Sequence, residues 1–242
     1  RLEQSAESEP PPRYANRLIG ELELNARKYH LAYPYFKREG LFPEAKKSRK
    51  LAVAMLLYGE RFDELSELLA DPAYRPYNTT AIKLDIAIHQ LDWWNVAKIL
   101  PQQMFSNIDW RMATIALIAA AVWAALLLRL GQIESWRSRT AGLCLLAFIA
   151  GWFSTIPTVF LVIVQDAYLG YEPNGELIPT IAYYIGGVGL REEFCKIILF
   201  LPFAFSLARK GAELESMIIA SFIGLGFAAE ENVSYFSNSF AL

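Results

Sequence analysis

The sequence predicts an all-α protein in two parts, a polytopic transmembrane helical bundle preceded by an extramembrane helical-hairpin domain. Three observations carry this. Residues 1–111 hold 16 of the 23 Lys/Arg and 15 of the 25 Asp/Glu, so the first part is nearly neutral and suited to water. Beyond it the few charges are grouped between long apolar runs, the pattern of a chain dissolved in lipid. In the polar part the apolar residues recur at helical spacing, with no sustained period-two alternation that would suggest a strand.

Residues 1–13 are polar and proline-rich and read as a flexible lead-in. Residues 14–111 form the extramembrane domain. Ala52, Met55 and Leu56 make one apolar stripe and Leu65, Leu68 and Leu69 another. Gly59 should break the first helix, and Asp71-Pro72 should end the second. The pair then recurs, with Phe62, Leu65 and Leu68 aligned to Trp94, Ala97 and Leu100, each 32 residues later. That period suits a tetratricopeptide-like array with Phe62 and Trp94 at equivalent core positions. With two copies, an irregular helical domain fits as well.

Residues 112–242 form the transmembrane part. Spanning candidates are 112–128, at the lower limit of the about 20 residues a crossing needs, and 140–164, uncharged throughout and kinked at Pro157. Shorter apolar runs follow at 177–190, with Gly186, Gly187 and Gly189, at 194–208 and at 216–229. Trp110, Trp136 and Tyr168 sit where an interfacial aromatic belt belongs. Arg129, Arg137 and Arg139 make the first loop cytoplasmic by the positive-inside rule, and Arg209 and Lys210 do the same for the loop at 209–215. The loop at 165–176, with three acids and no Lys/Arg, is then outside, as are residues 1–111. Residues 177–208 cross once, with a break near the glycines. Because the chain opens at Arg1 and stops at Leu242, it reads as a fragment, incomplete at its C-terminus.

Near-neutral charge without a basic block argues against nucleic acid as a partner. Cys144 and Cys195 both lie in apolar segments and form no disulfide framework. His30 and His89 read as surface or packing residues, Trp93 and Trp94 as packing, and Asp166 as a solvated loop acid.

Two motifs in the apolar half carry chemistry. In Arg191-Glu192-Glu193-Phe194-Cys195-Lys196, Lys196 stands four and three residues from the glutamates, within reach of either carboxylate on a helix. Acids in a first helical turn also complement the macrodipole, so this motif has a purely structural reading. In the second, 224–232, Ala220, Gly224 and Ala228 make a small-residue stripe suited to close helix packing. Phe227 and Glu231 lie on an adjacent stripe, which turns Glu231 toward a helix interface, although an interfacial cap of Glu230 and Glu231 also fits. Carboxylates in lipid are costly and usually face one another or a wet cavity. A pair whose environments differ suits acid–base chemistry.

Glu192-Glu193-x-x-Lys196 followed by Phe227-x-x-x-Glu231-Asn232 resembles the PrsW family of intramembrane proteases, itself distantly similar to CAAX prenyl endopeptidases and abortive-infection membrane proteases. The resemblance covers about residues 140–235. It implies an integral, multi-pass peptidase, of bacterial cell membranes, that cleaves a membrane-protein substrate. Glu192, Glu193 and Glu231 would be catalytic, with water activated by a glutamate of the double-Glu motif, and Lys196, Phe227 and Asn232 would support them. Such families also use a histidine on a later helix, which is absent up to Leu242. A divalent metal such as zinc therefore stays an open cofactor: either the later helix with its histidine lies beyond Leu242, which the early stop favours, or this chain is a degenerate member. The extramembrane helices would offer a surface to a protein partner. Two other readings stand beside this one: a non-catalytic membrane adaptor whose helical hairpins bind partners, and a transporter with an ion path along Glu192, Glu193 and Glu231.

Overall fold

A computed structural model describes residues 12, 14–133, 135, 138–170, 176–208 and 213–239, with side chains to Tyr235. The lead-in except Pro12 and Tyr14 onward, Trp136, Arg137, Arg209 and Lys210 lie outside the described residues. Every described element is helical, and no strand occurs among the described residues. The chain packs as two compact units, Arg1–Ile99 and Leu100–Leu242.

The first unit contains α1 (Ala15–Asn25), α2 (Tyr29–Glu39), α3 (Lys46–Tyr58), α4 (Phe62–Ala70), a 3-10 turn (Arg75–Tyr77), α5 (Thr80–His89) and the start of α6 (Trp93–Ser106). Helix α3 stops at Gly59 and α4 at Asp71, where the sequence places its breakers. From α1 to α5 each helix packs against the next, and α2 to α5 close one core around Phe36, Ala52, Leu56, Leu65 and Tyr74. Each such fully buried large side chain contributes roughly 1.5–3 kcal/mol. The α2–α3 connection is held from one side chain: Arg49 donates from Nε to the carbonyl of Gly40 at 2.8 Å and from Nη2 to those of Phe42 and Pro43 at 2.7 and 2.9 Å.

The expected repeat register is corrected here. Trp94 is 71% exposed and Ala97 is exposed too, whereas Phe62 packs on the core and Leu65 is fully buried. In α6 the buried positions are Val96 and Leu100, which stand thirty-one residues after Leu65 and Leu69. The inward face of α6 is thus offset by one residue, about 100° around a helix, from the face that the 32-residue spacing implies.

In the second unit α7 (Trp110–Leu130) and the run Arg139–Leu169 are long and apolar enough to cross a membrane. Their faces are inverted relative to a water-soluble helix. Helix α7 buries Ala113, Ala116 and Ala120 and exposes Ile115, Ile118, Val122 and Trp123. Broad exposed apolar surface of this kind belongs against lipid. Trp110 and Tyr168 are exposed at helix ends, where belt residues sit.

The Arg139–Leu169 run divides into α8 (Arg139–Phe153) and α9 (Thr155–Leu169) at Ser154. The break falls where Pro157 dictates, because proline has no N–H for the carbonyl four residues back, that of Phe153. Hydroxyls compensate: Ser154 Oγ donates to the Gly151 carbonyl at 2.6 Å, Thr155 Oγ1 to that of Trp152 at 2.9 Å and Thr158 Oγ1 to that of Ser154 at 2.8 Å. After the next loop, α10 (Leu177–Ala182), a π-helical stretch (Tyr183–Gly189) and α11 (Leu190–Ala208) form one continuous helical run. The glycines do not end this helix; they widen it.

Helix α12 (Glu213–Ser239) packs against α7, α8 and α11 and organises the unit. Its close approach is not the stripe of Ala220, Gly224 and Ala228: Ala220 and Ala228 are exposed, and a Cβ on Gly224 would meet nothing within 4 Å. The tight crossing uses Gly226 and Gly151. A Cβ at Gly226 would lie 2.0 Å from the Phe148 carbonyl oxygen, and one at Gly151 2.0 Å from that of Ile223. Two glycines thus let α8 and α12 meet backbone to backbone.

Candidate active site

The site is assembled from α9, α11 and α12. Tyr183–Gly189 leads directly into the acidic motif, and π-helical turns concentrate at functional positions in helices. At the start of α11, successive residues point about 100° apart. Glu192 therefore turns inward while Glu193 turns outward, its side chain 66% exposed. Lys196, one turn on, lies between them: Nζ stands 2.9 Å from Glu193 Oε1 and 3.8 Å from Glu192 Oε2. The same ammonium lies 3.9 Å from the ring centroid of Phe227 on α12, a cation–π contact that ties the two helices together.

One turn beyond Phe227, Glu231 comes to the wall of a cleft of about 260 Å³. Glu192 and Arg191 line the same cleft from the α11 side, and Thr155, Thr158 and Val162 line it from α9. Thus the structure brings Glu192 and Glu231 to one cavity, next to the break at Ser154. Phe227 is buried at its edge. Glu193, Lys196 and Asn232 do not line it, and Asn232 is exposed. Lys196 meets the cleft lining through its ion pair with Glu192 and its contact with the Phe227 ring, and Glu193 pairs with Lys196 from outside.

Two groups at the cleft, Glu230 and Arg191, stand in the sequence motifs, which by themselves give them no role in the site. Glu230 is buried, lines the cavity and accepts a hydrogen bond from Ser234 Oγ at 2.8 Å. Its sequence signal is a charge at the end of an apolar run; its facing, one turn from Gly226 on the face that crosses α8, is set by the partner helix. Arg191 donates from Nη1 to Gln165 Oε1 on α9 at 2.9 Å, bridging α9 and α11. Gln165, near the end of an apolar run, carries no such signal by itself.

The arrangement provides three carboxylates on one cleft, Glu192, Glu230 and Glu231, of which Glu192 is backed by the Lys196 ammonium. Carboxylates so placed can accept a proton from water and return it to a leaving group. As metal ligands the residues are incomplete: among the described residues no group of three His, Cys, Asp or Glu could hold an ion. His89 stacks on Phe62, ring centroids 4.9 Å apart, and His30 also belongs to the first unit.

Residues 139–242 match the family described as PrsW family intramembrane metalloprotease, a span that contains all three helices of the cleft. No curated protein and no solved structure matches the chain.

Proposed function

We propose that this chain, whose residues 139–242 match the PrsW family of intramembrane metalloproteases, is a membrane-embedded peptidase that hydrolyses a peptide bond of a membrane protein at the cleft between α9, α11 and α12, with water activated by glutamate. The observation that carries this reading is the placing of Glu192 and Glu231 on one cleft from two different helices. One carboxylate accepts a proton from water as the oxygen attacks the scissile carbonyl; collapse of the tetrahedral intermediate breaks the C–N bond, and the same proton passes to the leaving amine. Glu192 is the better placed of the double-Glu pair, because Glu193 points outward and serves Lys196. Lys196 balances the charge of Glu192 and fixes α11 against Phe227.

The chain crosses the bilayer more than once in this reading. Helix α7 and the α8–α9 run supply apolar spans, and α11 and α12 add two that carry charge at the cleft. The neighbouring helices of Arg1–Ile99 act as a tetratricopeptide-like surface for a protein partner or for the soluble part of the substrate.

The test is turnover of a membrane-anchored reporter by Glu192→Gln and Glu231→Gln in liposomes. Glutamine keeps shape and hydrogen bonding but not basicity, so both should lose activity while inserting normally. Full turnover by both single variants and by the double variant would end the proteolytic reading.

A further inference from the structure

We propose that Arg191 is a further catalytic residue: its guanidinium donates hydrogen bonds to the scissile carbonyl and stabilises the oxyanion formed there. The inference rests on the proteolytic reading of the same cleft. The sequence directs attention to Lys196, the lysine of the acidic motif, but that ammonium is already occupied by Glu192, Glu193 and the face of Phe227, and it does not line the cleft. Arg191 does line it.

A guanidinium has five N–H donors in a fixed fork. One bond goes from Nη1 to Gln165 Oε1, while Nε is buried without a partner. Among the described residues no carboxylate stands within ion-pair distance of Arg191, although Glu192 and Glu231 share its cleft. A cation at membrane depth is costly unless something pairs with it, and a buried donor without an acceptor adds to that cost. A tetrahedral oxyanion answers both needs, since it is an anion and an acceptor that exists only during reaction. Gln165, on α9, holds the fork in place from the opposite side. In the balanced step, a carboxylate takes the proton of water and the water oxygen bonds to the carbonyl carbon. The C=O π pair moves to oxygen beside Arg191 and then returns as the C–N bond breaks and the leaving nitrogen takes the proton.

The experiment uses the intact chain in liposomes with the membrane-anchored reporter. Arg191→Met should lower kcat by about 10²–10³-fold with KM little changed, the loss typical of one oxyanion donor. Arg191→Lys should recover part of that loss, and millimolar guanidinium ion should raise the kcat of Arg191→Ala. Gln165→Leu removes the bond between helices but leaves the guanidinium, so its loss should be the smaller by at least about tenfold. A near-normal kcat for Arg191→Met overturns the proposal. So does a loss in Gln165→Leu equal to that of Arg191→Met, or an Arg191→Ala protein that stays folded yet gains nothing from guanidinium. The two readings fail separately: an active Glu192→Gln, Glu231→Gln double variant removes proteolysis at this cleft altogether, while an inactive one beside an active Arg191→Met removes only the role of the arginine.

Discussion

The two units of this chain solve opposite packing problems with the same secondary structure. In Arg1–Ile99 the large apolar side chains are inside, with Phe36, Leu56 and Leu65 fully buried and the charged residues mostly outside. In Leu100–Leu242 large apolar residues such as Ile219, Phe222 and Ile223 of α12 are buried as well, but the inner faces of α7, α8 and α9 take mainly small and polar residues, including Ala113, Ala116, Ala120, Ser154, Thr155 and Thr158, while Ile118, Val122, Trp123 and Leu145 face out. A helix in water hides what water rejects; a helix in lipid gains little by hiding leucine, so close backbone contact and hydrogen bonding select its inner face. This inversion makes room for chemistry, because the inner face of a lipid-facing bundle is where carboxylates can be held together.

The contrast is broken most severely at the cleft. Gln at Glu192 or Glu231 should lower turnover by about 10²–10⁴-fold without loss of folded protein, whereas Gln at the outward Glu193 should cost much less; kinetics on the membrane reporter, normalised to inserted protein, check this. If Glu193 proves the more sensitive, the assignment of the inward face is wrong.

Matched core deletions probe the inversion itself. Leu65→Ala should destabilise the first unit by about 2–5 kcal/mol, as for a buried leucine in a soluble core. Ile118→Ala, on the lipid-facing side of α7, should change stability by no more than about 0.5 kcal/mol. Thermal unfolding of each variant in detergent or bilayer measures both, and equal costs would refute the comparison.

The glycine crossing gives the next effect. Gly226→Ala should destabilise the second unit by about 1–3 kcal/mol, because its Cβ meets the Phe148 carbonyl oxygen at 2.0 Å. Gly224→Ala, two residues away, meets nothing within 4 Å and should be tolerated. Comparing the folded yield and melting temperature of the two variants locates the crossing.

The smallest effect is a pH dependence confined to the first unit. Burial pushes the Tyr74 hydroxyl up to about 12, against the opposing pull of Arg49. A phenol harder to ionise when folded keeps its full contribution below its ordinary value of 10.0 and loses it as the pH rises from there toward 12, since the unfolded chain gives up the proton first. Tyr74→Phe should flatten the alkaline limb of an unfolding curve, and an unchanged limb would contradict the burial assigned to this ring.

Some of this was legible in the residues. The stops at Gly59 and Asp71 are local chemistry, as is the break before Pro157, which depends on one missing N–H. The acidic motif and Glu231 were legible as a pair because charges are rare in apolar segments and their spacing is helical. Trp94 was not legible as exposed: a tryptophan among apolar neighbours fits a core or a surface equally, and only the neighbours of α6 decide its facing. The small-residue stripe misled for the same reason. Helix α12 has small residues on more than one face, so Gly224 and Gly226 are equivalent until a partner helix selects one.

The amino-acid sequence by itself determined the helical class and where charges interrupt the apolar half, because composition and periodicity report directly on what each segment can be dissolved in. Only the tertiary structure decided which side of each helix faces inward. The crossing of α8 and α12 at Gly151 and Gly226, together with the widened helix before Leu190, sets the rotation that brings Glu192, Arg191 and Glu231 to one cleft and leaves Glu193 and Asn232 outside it. One residue of helix is about 100° of rotation, and that angle is fixed by contacts between segments far apart in the chain.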